Sequence, residues 1–314
     1  MVRFVTVRLS LIVVTLLVVS MAIFTITEIL PGDVATMMFR QNATEQNLKK
    51  VREDLGLDRP AHVRYLSWIG GVVRGDLGDS YFQKRPIVDI VRGRLGNSVI
   101  LAVFAFVVGV PAAVVAGIWA GVRSDTLGDR IVSIISLVGI SLPEFVTGVF
   151  FIILFSSILG LFPSTSIVLP GTNPLTRPQI LVLPTLTLMG VLFAYVMRMT
   201  RANVIEVMQT HYVRTAILKG LSMRRVIFRH VVPNAMLPTI TIIAQNFGFM
   251  LGGLIIVESV FAYPGLGLLV LSSIQTQDVP LLQALALLIA ATYAISNLVA
   301  DLSYAALDPR IRLA

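Results

Sequence analysis

Apolar residues dominate this chain in long unbroken runs. Six of them, approximately Leu9–Leu30, Ser98–Val122, Ile131–Phe162, Ile180–Met199, Leu237–Val257 and Leu281–Ala300, carry few charges. A hydrocarbon core of about 30 Å takes about 20 helical residues to cross, so each run is long enough to span. The pattern predicts an all-α integral membrane protein with six transmembrane helices. It divides the chain into 1–97, the first helix plus a long loop, and 98–314, a five-helix core. Arg3, Arg8 and Ser20-Met21-Ala22 imitate a signal peptide, but the apolar run continues to Leu30, too far for a typical signal core. An uncleaved first span is expected.

Composition agrees with the pattern. The chain is 56% hydrophobic and 13% charged, with a mean hydropathy of +0.86; soluble domains carry about 25% charge. The formal charge, 25 basic minus 17 acidic residues, is +8. Its distribution says more than its sum. Seven basic residues lie between Arg198 and Met236 against one acid, Glu206, whereas no basic residue lies between the fifth and sixth runs. Short loops rich in Lys and Arg stay in the cytoplasm, which places both termini there, with the 31–97 loop outside. This accounts for the charge without nucleic acid; lipid is the expected environment. Zero cysteines rule out disulfides and thiol chemistry.

Small residues recur at every fourth position in the second run, Gly109, Ala113, Gly117 and Gly121, and Gly248 and Gly252 repeat the device in the fifth. Both predict seams of close helix approach. Pro111 and Pro143 predict kinks. In the long loop, Asn42 through Gly56 has a capping residue, helical apolar spacing and a stop, and Pro60 is placed to begin a second short helix.

No catalytic grouping is present. There is no phosphate-cradling G-x-x-x-x-G-K-[ST], and His62, His211 and His230 are scattered without metal-ligand spacing. No metal site is expected. The richest segment is Tyr212-Val-Arg-Thr-Ala-Ile-Leu-Lys-Gly220-Leu-Ser, running on to His230-Val-Val-Pro233. Val213, Ala216 and Ile217 share a helical face, Gly220 ends that helix, and Val226, Ile227 and Val231 suggest another. Such an apolar ridge with a basic rim suits either a groove on a soluble partner or an anionic membrane surface.

This segment resembles the cytoplasmic signature E-A-A-x3-G-x9-I-x-L-P of membrane permease subunits of binding-protein-dependent ABC importers. Ala216, Gly220 and Pro233 match it; Arg214, Thr215, His230 and Val232 depart from it in the manner of the dipeptide/oligopeptide branch. Gly75-Asp-Leu-Gly-Asp-Ser80 resembles that branch's G-D-[LF]-G-x-S element. Glu258-Ser-Val-Phe-Ala-Tyr-Pro-Gly-Leu-Gly267, followed by Asp278 and Pro280, resembles its E-x-V-F-x-Y-P-G-L-G element.

The resemblance implies a type I ABC importer permease fold in a bacterial inner membrane. It implies a second, homologous permease subunit, two cytoplasmic ATPases and an extracytoplasmic peptide-binding protein as partners. ATP and Mg would sit on the ATPases, this chain holding no cofactor and catalysing nothing itself. Carried over, Tyr212, Val213, Arg214, Thr215, Ala216, Lys219, Gly220 and Pro233 belong to the ATPase-coupling loop (about 200–236), with Pro233 stopping its second helix. Pathway or gate candidates are Glu144, about 13 residues into the third span, with Gln245, Asn246, Glu258 and Asp278. Di- or oligopeptides are the expected cargo; nickel or another small ligand is the alternative within the family. A stand-alone secondary transporter would need a relay of intramembrane acids, and only Glu144 lies well inside a span.

Overall fold

The computed structural model describes residues 2–29, 59–169 and 172–307. The helix expected between Asn42 and Gly56 lies outside them. The described residues are helical, apart from connecting turns and one isolated bridge between Asp79 and Pro86. Among the described residues, five helices are long and apolar enough to cross a membrane, or six if a bent pair counts as one span.

Two compact units emerge, Met1–Gly96 with Gly265–Ala294, and Asn97–Pro264 with Ile295–Ala314. In the first, α1 (Val2–Ile29) meets the short helix α2 (Ala61–Val73), which starts directly after Pro60 as its sequence suggests. The Ser20 hydroxyl and the Tyr65 phenol share a hydrogen bond of 2.8 Å, and Arg64 pairs with Glu28. Phe24 packs edge-on to Tyr65 and stacks on Trp68. An apolar cluster joins Ile87 and Val91 to Leu266 and Leu269 of α10 (Leu266–Gln275) and to Leu281 and Leu285 of α11 (Val279–Leu307). Gln283 of α11 donates to the Thr27 hydroxyl of α1 at 2.6 Å.

The second unit is built on two long helices, α3 (Ile87–Val122), which enters it at Asn97, and α6 (Gln179–Met208). The small-residue stripe of α3 is the seam between them. A Cβ on Gly109 would lie 2.9 Å from the Met189 Cβ, and one on Gly121 2.8 Å from the Val204 Cβ, while Ala113 is fully buried. In a bilayer, close backbone approach of this kind replaces the hydrophobic drive that water would supply. The second stripe is only half a seam. In α9 (Val232–Val260) Gly248 is buried, but Gly252 is exposed with open space at its Cβ, and the close approach is made by Gly253 instead.

The third span departs from expectation. It is two helices, α4 (Leu127–Ser141) and α5 (Glu144–Phe151, continued by a π-turn Ile152–Ile158), meeting at 113°. The residue before a proline is pushed out of helical geometry; Leu142 and Pro143 are both extended, with ψ of 132° and 143°. A kink was expected and a break is found, so a depth reckoned by counting 13 residues along one straight axis to Glu144 does not hold. Pro111 and Pro184, by contrast, lie inside continuous helices. At Pro184 the missing N–H would have served Ile180, whose carbonyl instead accepts the Ser166 hydroxyl at 2.5 Å. Pro233 also departs from its expected role. It occupies the first turn of α9, where a missing N–H costs least. The preceding π-turn Ile227–Val231, capped by Val232 N–H reaching back to Ile227 C=O, leads into that helix without a stop.

Candidate functional site

The segment after α6 folds into a two-helix hook. Gln209 and Thr210 are its only residues between α6 and α7 (His211–Leu218), and α8 (Met223–Val226) follows the turn at Gly220. That turn is a Schellman motif, with Leu221 N–H bonded to Ala216 C=O at 3.3 Å, Gly220 N–H bonded to Ile217 C=O at 2.9 Å, and Gly220 at φ +77°. The left-handed residue that the sequence assigns to Gly220 is therefore present.

The apolar ridge faces inward. Val213 and Ala216 are buried with Val204, Val226, Val231 and Ala235 in one cluster, which Ile118, Val122 and Leu221 border. They fix the hook to its own unit and leave other side chains for contact. Outward stand Tyr212, Ile217, Leu218 and Phe228, the last two 79% and 65% exposed, amid exposed Arg214, Lys219, Arg224, Arg225 and Arg229. Thr215 is exposed too, its hydroxyl returned to His211 C=O at 2.9 Å. The exposed surface combines large apolar and cationic side chains, a composition suited to a protein contact.

The pathway candidates fall in different places. Glu144 opens α5 immediately after the break, half-buried, with its carboxylate seated directly on the Gly253 backbone of α9, where any Cβ would collide with it. Among the described residues it has no hydrogen-bond or ion-pair partner. Gln245 is exposed on α9; Asn246 is buried and donates to Ile242 C=O of its own helix at 2.9 Å.

Glu258 is fully buried and accepts the Ser98 hydroxyl at 2.5 Å. Nearby, the Tyr263 phenol donates to Asn97 C=O at 2.8 Å. Burial, reinforced by the Glu258 charge, pushes that phenol far above its ordinary value. Asp278, in the other unit, collects the Ser80 hydroxyl at 2.5 Å, the N–H groups of Tyr81 and Phe82 at 3.1 and 3.2 Å, and Leu281 N–H at 3.4 Å. It thereby caps α11 and anchors the Gly75–Ser80 element, a long-range link that ties two of the sequence motifs together. Burial and then the Asp278 charge raise the Tyr81 phenol, against a lowering by Arg64.

Sequence reasoning missed two further contacts. Asp129 of α4, 1% exposed, takes a two-point grip from Arg201 of α6, at 2.5 Å from Nε and 2.7 Å from Nη2. Asn203 donates to the Thr239 hydroxyl of α9 at 3.1 Å. The partners in these contacts lie 72 and 36 residues apart, and no local spacing announces them.

Among the described residues, an all-helical polytopic bundle with a broken span, an unpaired acid at the break and an outward hook of basic and apolar side chains defines a membrane-spanning component built to meet a partner. Residues 113–313 match the model of the "binding-protein-dependent transport system inner membrane component" family, and residues 1–102 match its N-terminal counterpart. The chain belongs to this family: it is a multi-pass inner-membrane permease subunit of the ABC importer kind, a kind that works with a binding protein and an ATPase. It is 38% identical over 312 residues to the glutathione transport system permease protein GsiC of Shigella flexneri, with 99% of each chain covered. To the protein of the same name from Escherichia coli K12 it is 37% identical, again with 99% of each covered. It is 35% identical over 307 residues to the probable peptide ABC transporter permease protein y4tP of Sinorhizobium fredii, with 97% of each covered.

Proposed function

We propose that this chain forms half of the translocation pathway of an ATP-driven importer of di- and oligopeptides, short thiol peptides of the glutathione type included. The end-to-end similarity to permeases named for glutathione and peptide transport carries this reading. A second, homologous permease supplies the other half, two ATPases bind from the cytoplasm, and an extracytoplasmic binding protein delivers the peptide. The basic residues of the hook support a cytoplasmic position for it and for both termini. Tyr212, Arg214, Thr215 and Lys219 meet the ATPase; Val213, Ala216, Gly220 and Pro233 shape the hook that presents them. ATP and Mg belong to the ATPases. Complementation tests this: a strain lacking its own peptide importer should accumulate labelled glutathione or dipeptide when this chain is supplied with its neighbouring transporter subunits. Accumulation of nickel but not peptide would overturn the peptide reading, and uptake by this chain alone would overturn the importer reading.

Glu144 is the pathway residue with the firmest physical case. An ionised acid within a membrane-spanning segment is costly unless water or a cation faces it. Unpartnered here, it is available to a peptide's ammonium group. On α9 the exposed strip of Gln245, Phe249, Gly252 and Ile256 offers a face to the second permease or to the lumen. Glu258 and Asp278 each hold a turn within their own unit, and each is a candidate gate residue. Glu144→Gln is expected to reduce peptide uptake about tenfold while the chain reaches the membrane at the wild-type level, a change worth about 1.4 kcal/mol. Uptake by Glu144→Gln at the wild-type rate would remove this residue from the pathway.

A further inference from the structure

The geometry points to one turn of α6, Thr200–Val204, as the transmission between the hook and the spans around it, with Asp129 and Arg201 as its positioning pair. This rests on reading 209–225 as the ATPase-docking segment and says how movement leaves it.

The link from hook to α6 has no slack. Gln209 N–H bonds to Glu206 C=O at 3.2 Å, and Thr210 bonds to Val207 C=O twice, through its N–H at 3.1 Å and its hydroxyl at 2.6 Å. Within the next turns of α6, five consecutive positions hold three separate helices. Thr200 and Val204 fill the notches over Gly117 and Gly121 of α3. Asn203 donates to Thr239 of α9, and its amide also reaches Ala235 C=O at 3.4 Å. Arg201 grips Asp129 of α4, whose carboxylate is further fixed by Asp125 N–H at 2.9 Å.

These contacts differ in kind. Packed small-residue seams resist separation but permit sliding, whereas a two-point guanidinium–carboxylate pair fixes both distance and angle. A part-buried pair of this sort adds little net stability over an apolar replacement; what it supplies is a defined register. α4 is the helix that ends at the break before Glu144. Arg201 thus connects the ATPase-facing hook to the span that, among the described residues, is already in two pieces. A push on the hook reaches α4 through its packing on α6, where Gly139 lies against Gly190 and Ala194, and the pair fixes the register in which it arrives.

The test uses the whole transporter reconstituted in vesicles, with both permeases, the ATPases and the peptide-loaded binding protein. Asp129→Asn and Arg201→Lys each keep a hydrogen bond and give up the two-point grip. Both variants are expected to assemble and hydrolyse ATP, yet to import about fivefold less peptide, or lower still, per ATP, the range of a lost coupling. A merely structural role would lower uptake and hydrolysis together through the amount of complex. Wild-type peptide per ATP in both variants would overturn the inference. Should Asp129→Asn fail to assemble, Arg201→Lys decides alone. A wild-type chain that recruits no ATPase would overturn the docking reading instead, before either variant is measured.

Discussion

Gly117→Val is expected to prevent the chain from accumulating as a folded membrane protein. At this position a Cβ would lie 2.6 Å from the Met197 carbonyl oxygen and 2.6 Å from the Thr200 Cβ. Neither obstacle is the far end of a flexible side chain. One is the backbone of α6 and the other the root of a buried threonine whose hydroxyl is tied to Val196 C=O at 2.7 Å. The two helices must therefore move apart. Overpacking typically costs about 1–3 kcal/mol, and here separation also opens the contacts at Gly109 and Gly121. A valine brings two further methyl groups into the same space. Gly190→Ala is the matching control: it lies inside α6, nothing lies within 4 Å of its Cβ, and alanine favours a helix over glycine by about 1 kcal/mol. In detergent extracts, size-exclusion profiles should lose the monodisperse peak for Gly117→Val and keep it for Gly190→Ala. A full peak for Gly117→Val would mean that the α3–α6 seam does not hold the unit together.

The seam was legible because residues four apart on a helix share a face, and three glycines and an alanine in that register have few other uses in lipid. Other features were legible only in part. The apolar run from Ile131 to Phe162 is interrupted only by Pro143 and a single charge, Glu144, so hydropathy does not distinguish one span from two halves; Pro143 was the available signal, and it carries a position without an angle. The helix ends were also underestimated. α6 continues to Met208 and α3 begins at Ile87, because hydropathy counts only the part that lipid can cover. Periodicity grouped Val213 with Ala216 correctly but could not name what covers them. A shared face is a local property; whether it meets a partner or the chain's own α3 and α9 is decided by tertiary packing. Asp129 with Arg201 and Ser80 with Asp278 lay beyond reach for the same reason, since each pairing exists only after distant segments are brought together.

Gly220→Val is expected to leave the protein in the membrane and disable its coupling. The position has the opposite physics to Gly117: nothing lies within 4 Å of its Cβ, so a side chain meets no obstacle and the whole effect is conformational. At φ +77° a residue with a Cβ costs about 1–2 kcal/mol, and a β-branched one is the least tolerated. A penalty of one or two kcal/mol lowers the population of a correctly shaped hook by roughly five- to thirtyfold. Relieving the strain breaks the Leu221 and Gly220 N–H bonds of the Schellman turn and re-aims α8, which carries Arg224 and Arg225 on the contact surface. Buried Val213 and Ala216 still hold α7, so folding of the core is retained. The prediction is graded: Gly220→Asn, whose side chain tolerates left-handed geometry, should keep most of the uptake, Gly220→Ala less, and Gly220→Val the least. The amount of ATPase recovered with the chain should fall in the same order. Equal ATPase recovery and equal uptake across the three variants would show that the hook's turn geometry is irrelevant to coupling, and with it that this surface is not where the ATPase is received.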